Sequence, residues 1–213
     1  MRLFKYTHAC IRLECDGRTL VIDPGIWAED AAFVGVDDVL ITHEHFDHVD
    51  VARLTAAVAA NPELRVYTHA SVAAGLTGLG DAVVTVAPGE DFQAAGLPVR
   101  AVGGAHAEIY AGAPGIANLG FLVDTGDGHL YHPGDALFVP AERVSTLLVP
   151  TSGPWLKLAE AIDFVRAVGP RRAYSIHDAL FEERGLQIVD RWIGSNTEAG
   201  YARIPIGEAV DLD

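Results

Sequence analysis

Apolar residues along this chain come in short runs cut by Gly, Pro and Asp turns, with longer helical stretches between some of them. Ile11-Arg12-Leu13-Glu14 alternates apolar and polar, and Asp16-Gly17 is a hairpin signal leading into Thr19-Leu20-Val21-Ile22. Asp23-Pro24-Gly25 then turns the chain. Residues 26–38 carry little regular pattern and read as a loop. A buried strand follows over 39–42, and Asp50 caps a helix that Asn61-Pro62 stops. Strand 64–67 precedes a short helix over 70–79. Segments 82–86 and 97–102 read as strands around the turn Pro88-Gly89.

The second half repeats this alternation. Residues 107–118, with Gly112, Pro114 and Gly115, have no clear period and predict a mobile loop. Leu119–Asp124 and His129–His132 form a hairpin around Thr125-Gly126-Asp127-Gly128. A buried strand at 146–150 and a loop at 151–155 come next. Helical spacing runs from Leu158 to Val168, and Gly169-Pro170 ends it. Arg172–Ile176 is a strand, 182–193 the last helix, and 201–206 a final strand that Pro205 assigns to an edge. Each half, roughly 1–95 and 96–213, has strands and then helices. Two sheets face to face with helices outside would bury both, giving an α/β fold in one domain, 1–213.

Composition narrows the partners. Half of the residues are hydrophobic and 21% are charged, a globular balance. The formal net charge of −14, with Lys5 and Lys157 as the only lysines, disfavours nucleic acid or an anionic membrane. No stretch is long and apolar enough to span a bilayer, and residues 1–6 show no secretory pattern. Cys10 and Cys15 flank one strand on opposite faces and read as reduced thiols, so a cytoplasmic protein is expected. The expected partner is a small molecule. Oligomeric state stays open, a homo-oligomer included.

Candidate chemistry is concentrated in Ile41-Thr42-His43-Glu44-His45-Phe46-Asp47-His48, which holds three of the nine histidines. His43 and His45 point the same way on extended backbone, and a turn could send Asp47 and His48 toward a second point. Imidazole with carboxylate suits zinc and other divalent first-row metals. The motif therefore looks built for two neighbouring ions. Elsewhere, His106 follows Gly103-Gly104, Asp135 follows Gly134, and His177 ends an apolar strand. His8 reads as a hydrogen-bonded structural histidine, with an approach to the metal pocket left open. His69 reads as a loop or cap residue and His129 as exposed, and whether His132 approaches is open.

His43-x-His45-x-Asp47-His48, His106, Gly134-Asp135 and His177 together resemble the metallo-β-lactamase superfamily. Thr7-His8-Ala9 and Ile22-Asp23-Pro24-Gly25 are most similar to its ascorbate-6-phosphate-lactonase-like branch. The resemblance implies a four-layer αββα sandwich with metals at one edge of the sheets. It implies that His43, His45 and His106 hold one ion, that Asp47, His48 and His177 hold the second, and that Asp135 bridges them. The implied cofactors are two divalent ions, Zn²⁺ first and Mn²⁺ or Fe²⁺ by supply. The implied activity is hydrolysis of a small ester, lactone or phosphodiester by a metal-bridging hydroxide, with Asp47 and Asp135 as catalytic carboxylates. The competing reading is a catalytically silent metal-binding sensor or regulatory module of the same fold.

Overall fold

The computed structural model describes residues 1–113 and 115–212. The loop residue Pro114 lies outside them. In chain order the elements are β1 (Arg2–Lys5), β2 (Ile11–Cys15), β3 (Arg18–Ile22), β4 (Asp38–Ile41), α1 (Val51–Ala60), β5 (Arg65–Thr68), α2 (Ala70–Gly75) and β6 (Val83–Thr85). Then come β7 (Asp91–Ala94), β8 (Leu97–Gly103), β9 (Leu119–Asp124), β10 (His129–His132), β11 (Val144–Pro150), α3 (Leu158–Val168), β12 (Arg172–Ile176), α4 (Glu183–Asn196), β13 (Gly200–Ala202) and β14 (Ala209–Asp211). One sheet has the order β14-β1-β2-β3-β4-β5-β6 and the other β13-β12-β11-β10-β9-β8-β7. Both are mixed: β3 to β6 run parallel, as do β10 to β13, beside antiparallel neighbours.

Three apolar layers hold the sandwich together. Leu20, Ile22 and Leu40 of the first sheet meet Phe121, Val123 and Leu148 of the second in the central layer. Val39, Ile41 and Val66 point the other way, against Leu54 of α1 and Val72 of α2. Leu122, Leu147 and Val149 face Phe164 of α3 and Val189 and Ile193 of α4. Central strands are thus covered on both faces, which is why they read as continuous apolar runs. The architecture is the four-layer α/β sandwich that the pattern suggested.

Local chemistry sets several boundaries. The Asp50 side chain accepts the Arg53 backbone N–H at the start of α1. Gly169, at φ 62°, closes α3 in the left-handed region, where glycine carries no Cβ penalty.

Four expectations change. Strands β6 and β8 do not pair around Pro88-Gly89: β6 ends the first sheet, while β8 pairs with β7 through a turn at Ala95-Gly96. The final strand expected over 201–206 is instead two, β13 on the second sheet and β14 on the first, with Pro205 between them. The sheet boundary therefore falls before 91, and the C-terminal strand returns to the first sheet. A 3-10 turn over Asp30–Phe33 and another over Thr77–Ala82 occupy segments read as loop and helix. Cys10 and Cys15 are both free thiols, the first fully buried. None of the helices is long and apolar enough to cross a membrane, among the described residues.

Candidate metal centre

The clustered histidines and carboxylates come from one edge of the sandwich. β4 runs into Thr42-His43, β8 into His106, β10 into Asp135 and β12 into His177. Two backbone devices shape the first motif. His48 N–H donates to the His45 carbonyl at 2.9 Å, and Val49 N–H to the same oxygen at 3.0 Å, so the chain turns between the two ligand pairs. Gly25 lies against this turn. A Cβ built there would sit 1.9 Å from the Asp47 carbonyl oxygen, so only glycine lets the two segments meet.

Two groups of side chains offer ligand atoms that lie within 4.8 Å of one another: His43, His45, His106 and Asp135, and His8, Asp47, His48 and His177. All seven residues singled out from the sequence are in these groups. Asp135 joins them, with Oδ1 3.1 Å from His48 Nε2, and Oδ2 3.0 Å from His177 Nε2 and 3.3 Å from His106 Nε2.

Several of these approaches lack hydrogen-bond geometry. His48 Nε2, His106 Nε2, Asp135 Oδ1 and both His177 nitrogens are buried with no hydrogen-bond partner in the protein. Such orphans cost about 1–3 kcal/mol each and are rare unless something completes them. His43 Nε2 and His45 Nδ1 lie 3.0 Å apart, within hydrogen-bond distance and also close to the spacing of two ligands on one ion. Two imidazoles on one tetrahedral zinc, with Zn–N of about 2.0–2.1 Å, hold their donor atoms about 3.3 Å apart. Donor set, spacing and orphans all fit a pair of divalent cations.

The tautomers point the same way. Thr42 Oγ1 donates to Asp23 Oδ2 at 2.7 Å, so it accepts from His43 Nδ1 at 3.0 Å. His48 Nδ1–H donates to Asp23 Oδ2 at 2.7 Å, and His106 Nδ1–H to the Ala107 carbonyl at 2.5 Å. In all three rings Nδ1 bonds outward and Nε2 is the nitrogen that faces the centre, the usual arrangement of an oriented metal-binding imidazole.

His8 behaves differently. The Ala179 N–H donates to its Nδ1 at 3.4 Å, which leaves Nε2 as the N–H that donates to Asp47 Oδ2 at 3.1 Å. In this tautomer its Nε2–H aims Asp47. Its ring lies 3.9 Å from that of His177, and its carbonyl accepts the His177 N–H at 3.1 Å. The structural reading of His8 and its approach to the pocket both hold.

Three further residues escaped the sequence reading. Asn118 Oδ1 accepts the Asp135 N–H at 3.0 Å, while its Nδ2 donates to the Pro133 carbonyl at 2.8 Å. Trp155 Nε1–H donates to Asp135 Oδ2 at 3.0 Å, and its indole sits edge-on to His106 and His177. Asp23, fully buried, accepts from Thr42 N–H and Oγ1–H as well as from His48. An aspartate directly after the apolar run Leu20-Val21-Ile22 was the available signal for Asp23. His132 is buried but occupied, with Nε2 on the Ala9 carbonyl and Nδ1 accepting Gly134 N–H. His69 caps α2, and His129 bonds the Arg143 carbonyl.

Electrostatics divide the rings. Burial pushes His43 well below the usual imidazole range, and nearby His48 adds to this. Burial, then His106, lowers His45. His48 goes the other way: burial opposes its charge, but the carboxylates of Asp135 and Asp23 outweigh that and raise it well above the usual value. Asp135 is correspondingly held well below the carboxylate range, because His48 and the other imidazoles outweigh burial.

Known proteins resemble this chain in sequence and fold. The family model described as a beta-lactamase superfamily domain matches residues 2–177. Protein Rv0786c of Mycobacterium tuberculosis is 42% identical over 185 residues, covering 84% of this chain and 85% of that one. A UPF0173 metal-dependent hydrolase of Aeropyrum pernix is 28% identical over 207 residues, covering 84% and 83%. Among solved structures, the metallo hydrolase Igni18 of Ignicoccus hospitalis superposes with a TM-score of 0.77 at 18% identity, over 98% of this chain and 97% of that one. With the matched span covering most of its length, and the sandwich and its relatives agreeing, the chain belongs to the metallo-β-lactamase superfamily of metal-dependent hydrolases.

Proposed function

We propose that this protein is a dinuclear hydrolase of a small ester, lactone or phosphodiester. The observation that carries the proposal is the Asp135 carboxylate, whose two oxygens face imidazoles of both groups. His43, His45 and His106 would hold one divalent ion, Zn²⁺ first, and Asp47, His48 and His177 the other, with Asp135 between them. When bound, such ions would supply Lewis acidity, lowering the pKa of water toward neutrality and polarising the oxygen of the bond to be cleaved. The chain's own part is to hold the ligands rigid. Asp23, Thr42 and the Ala107 carbonyl fix tautomers, His8 aims Asp47, and Asn118 and Trp155 pin Asp135. Asp47, largely buried with its side chain 14% exposed, and Asp135 are the two carboxylates placed to take a proton from an attacking water.

Thr7-His8-Ala9 and Ile22–Gly25, which carry the likeness to the ascorbate-6-phosphate-lactonase-like branch, both serve this centre through His8 and Asp23. Membership of that branch is supported at the level of the ligand scaffold. Free thiols at Cys10 and Cys15 support a cytoplasmic setting, and the acidic surface supports a small-molecule substrate over nucleic acid.

Reconstitution tests the proposal. Metal-free protein given Zn²⁺ or Mn²⁺ should turn over at least one chromogenic ester, lactone or phosphodiester, and chelator should abolish this. Tight metal binding with no turnover across a broad panel would favour the silent sensor. Within that experiment, His69→Ala and His129→Ala should bind as much metal as the parent, read by elemental analysis. Loss of one equivalent in either would mean a different ligand set.

Proton release gives an independent check. The carboxylates of Asp135 and Asp23 favour the protonated form of His48, whereas a metal ligand must be neutral. Metal binding should therefore expel a proton, and apparent affinity should fall as pH falls. Calorimetry in buffers of different ionisation enthalpy reads the proton count, and a count of zero would contradict the role given to His48.

A further inference from the structure

Beside the metal centre lies a cavity of about 340 Å³, lined by His45, His106, Glu108, Ile109, Ala113 and Ile116 among others. It is within the usual size of a small-molecule site. Its metal-facing wall is imidazole, and most of the remainder is aliphatic. No lysine or arginine lines it, among the described residues. The two lysines lie elsewhere: Lys5 is buried against Asp178 at 3.1 Å, and Lys157 is 84% exposed, 3.8 Å from Glu160. The acidic side chain that does line the cavity is Glu108, which is exposed and makes no hydrogen bond or ion pair among the described residues.

We infer that this cavity receives the part of the substrate remote from the cleaved bond, that this part is apolar and uncharged, and that Glu108 rejects anionic alternatives. The inference rests on the hydrolase reading of the same centre and deepens it. Bound cations attract charge at the reacting bond, but a peripheral phosphate or carboxylate needs its own partner, such as an arginine fork. Here it would meet Glu108 in a protein of net charge −14. A like charge within roughly 8 Å at a protein surface repels strongly enough for about a 10-fold discrimination. Ile109, 47% exposed, and Ile116 reward a hydrocarbon chain instead.

A matched pair of ligands tests this on the zinc-loaded protein. Hexanohydroxamic acid and adipic acid monohydroxamate share a metal-binding head and differ in carrying a terminal methyl or a terminal carboxylate. Titration calorimetry should show the neutral ligand binding at least about 10-fold tighter. Glu108→Lys should shrink or reverse that ratio. Equal affinities, a preference for the carboxylate, or a ratio unmoved by Glu108→Lys would overturn the inference. The p-nitrophenyl ester of hexanoate and the mono-p-nitrophenyl ester of adipate separate the two readings. A neutral preference in binding with no turnover of either ester or of the broad panel overturns the hydrolase reading and keeps this one. Turnover of both esters at equal rates does the reverse, and no binding of either hydroxamate together with no turnover across the panel overturns both.

Discussion

Asp135→Ala is expected to hold fewer than two metal ions per chain and to lose at least about 10³-fold in kcat/KM. Its carboxylate is the group that both ligand clusters share, with His48 on one oxygen and His106 and His177 on the other. Alanine removes the link between the clusters and leaves His48 Nε2, His106 Nε2 and His177 Nε2 with no anion between them. It also frees the Trp155 indole N–H, which is otherwise satisfied by Oδ2. The backbone should survive, because Asn118 holds the residue 135 N–H and the Pro133 carbonyl independently of that side chain. Asp135→Asn keeps the shape and loses the charge, so it should share the metal defect while melting close to the parent. Elemental analysis, a thermal melt and the reconstituted activity assay together decide. Full activity with two ions per chain in Asp135→Ala would sink the bridging role.

What could be read from the sequence about this centre, and what could not, follows from distance along the chain. The motif from His43 to His48 is local, so residue spacing alone exposes it. His106, Asp135 and His177 each close an apolar strand, and strand periodicity places them at one sheet edge. The residues that orient the ligands carry no local mark of that role, even where, as at Ile22-Asp23-Pro24-Gly25, the stretch carries the family resemblance. Asp23 reaches His48 across 25 positions, and Trp155 and Asn118 reach Asp135 across 20 and 17. Each looks like an ordinary turn or loop residue until the sheets pack. The fold divides similarly. Central strands such as β11, buried at every position, are unmistakable apolar runs. Edge strands are covered on one side, so β7, with Asp91 and Gln93 exposed, shows no continuous apolar run. The same weakness hid β14 and left Pro205 assigned to a strand.

Asp23→Ala should do the greatest damage to folding of any single change away from the ligands themselves. Asp23 is fully buried and accepts three hydrogen bonds: from Thr42 N–H at 2.8 Å, Thr42 Oγ1–H at 2.7 Å and His48 Nδ1–H at 2.7 Å. Bonds to a charged acceptor are worth about 1.5–3 kcal/mol each, and orphaned donors add their own cost. A loss of about 4–6 kcal/mol is expected, a large part of the roughly 5–15 kcal/mol that holds a domain folded. The loss should depend on pH in a defined direction. Pairing raises His48 above its unfolded value near 6.5, so its contribution is complete below about 6.5 and fades as pH rises through the raised value. In metal-free protein the gap between parent and variant should therefore narrow toward alkaline pH. Metal binding should suffer as well, by about 10–100-fold, since His48 loses the carboxylate that sets its tautomer and Thr42 loses the one that lets it hold His43. Denaturant titrations with and without zinc, at neutral and alkaline pH, read all three effects. A variant within about 1 kcal/mol of the parent with unchanged metal affinity would show that Thr42 and the turn at Pro24-Gly25 hold the centre without the carboxylate.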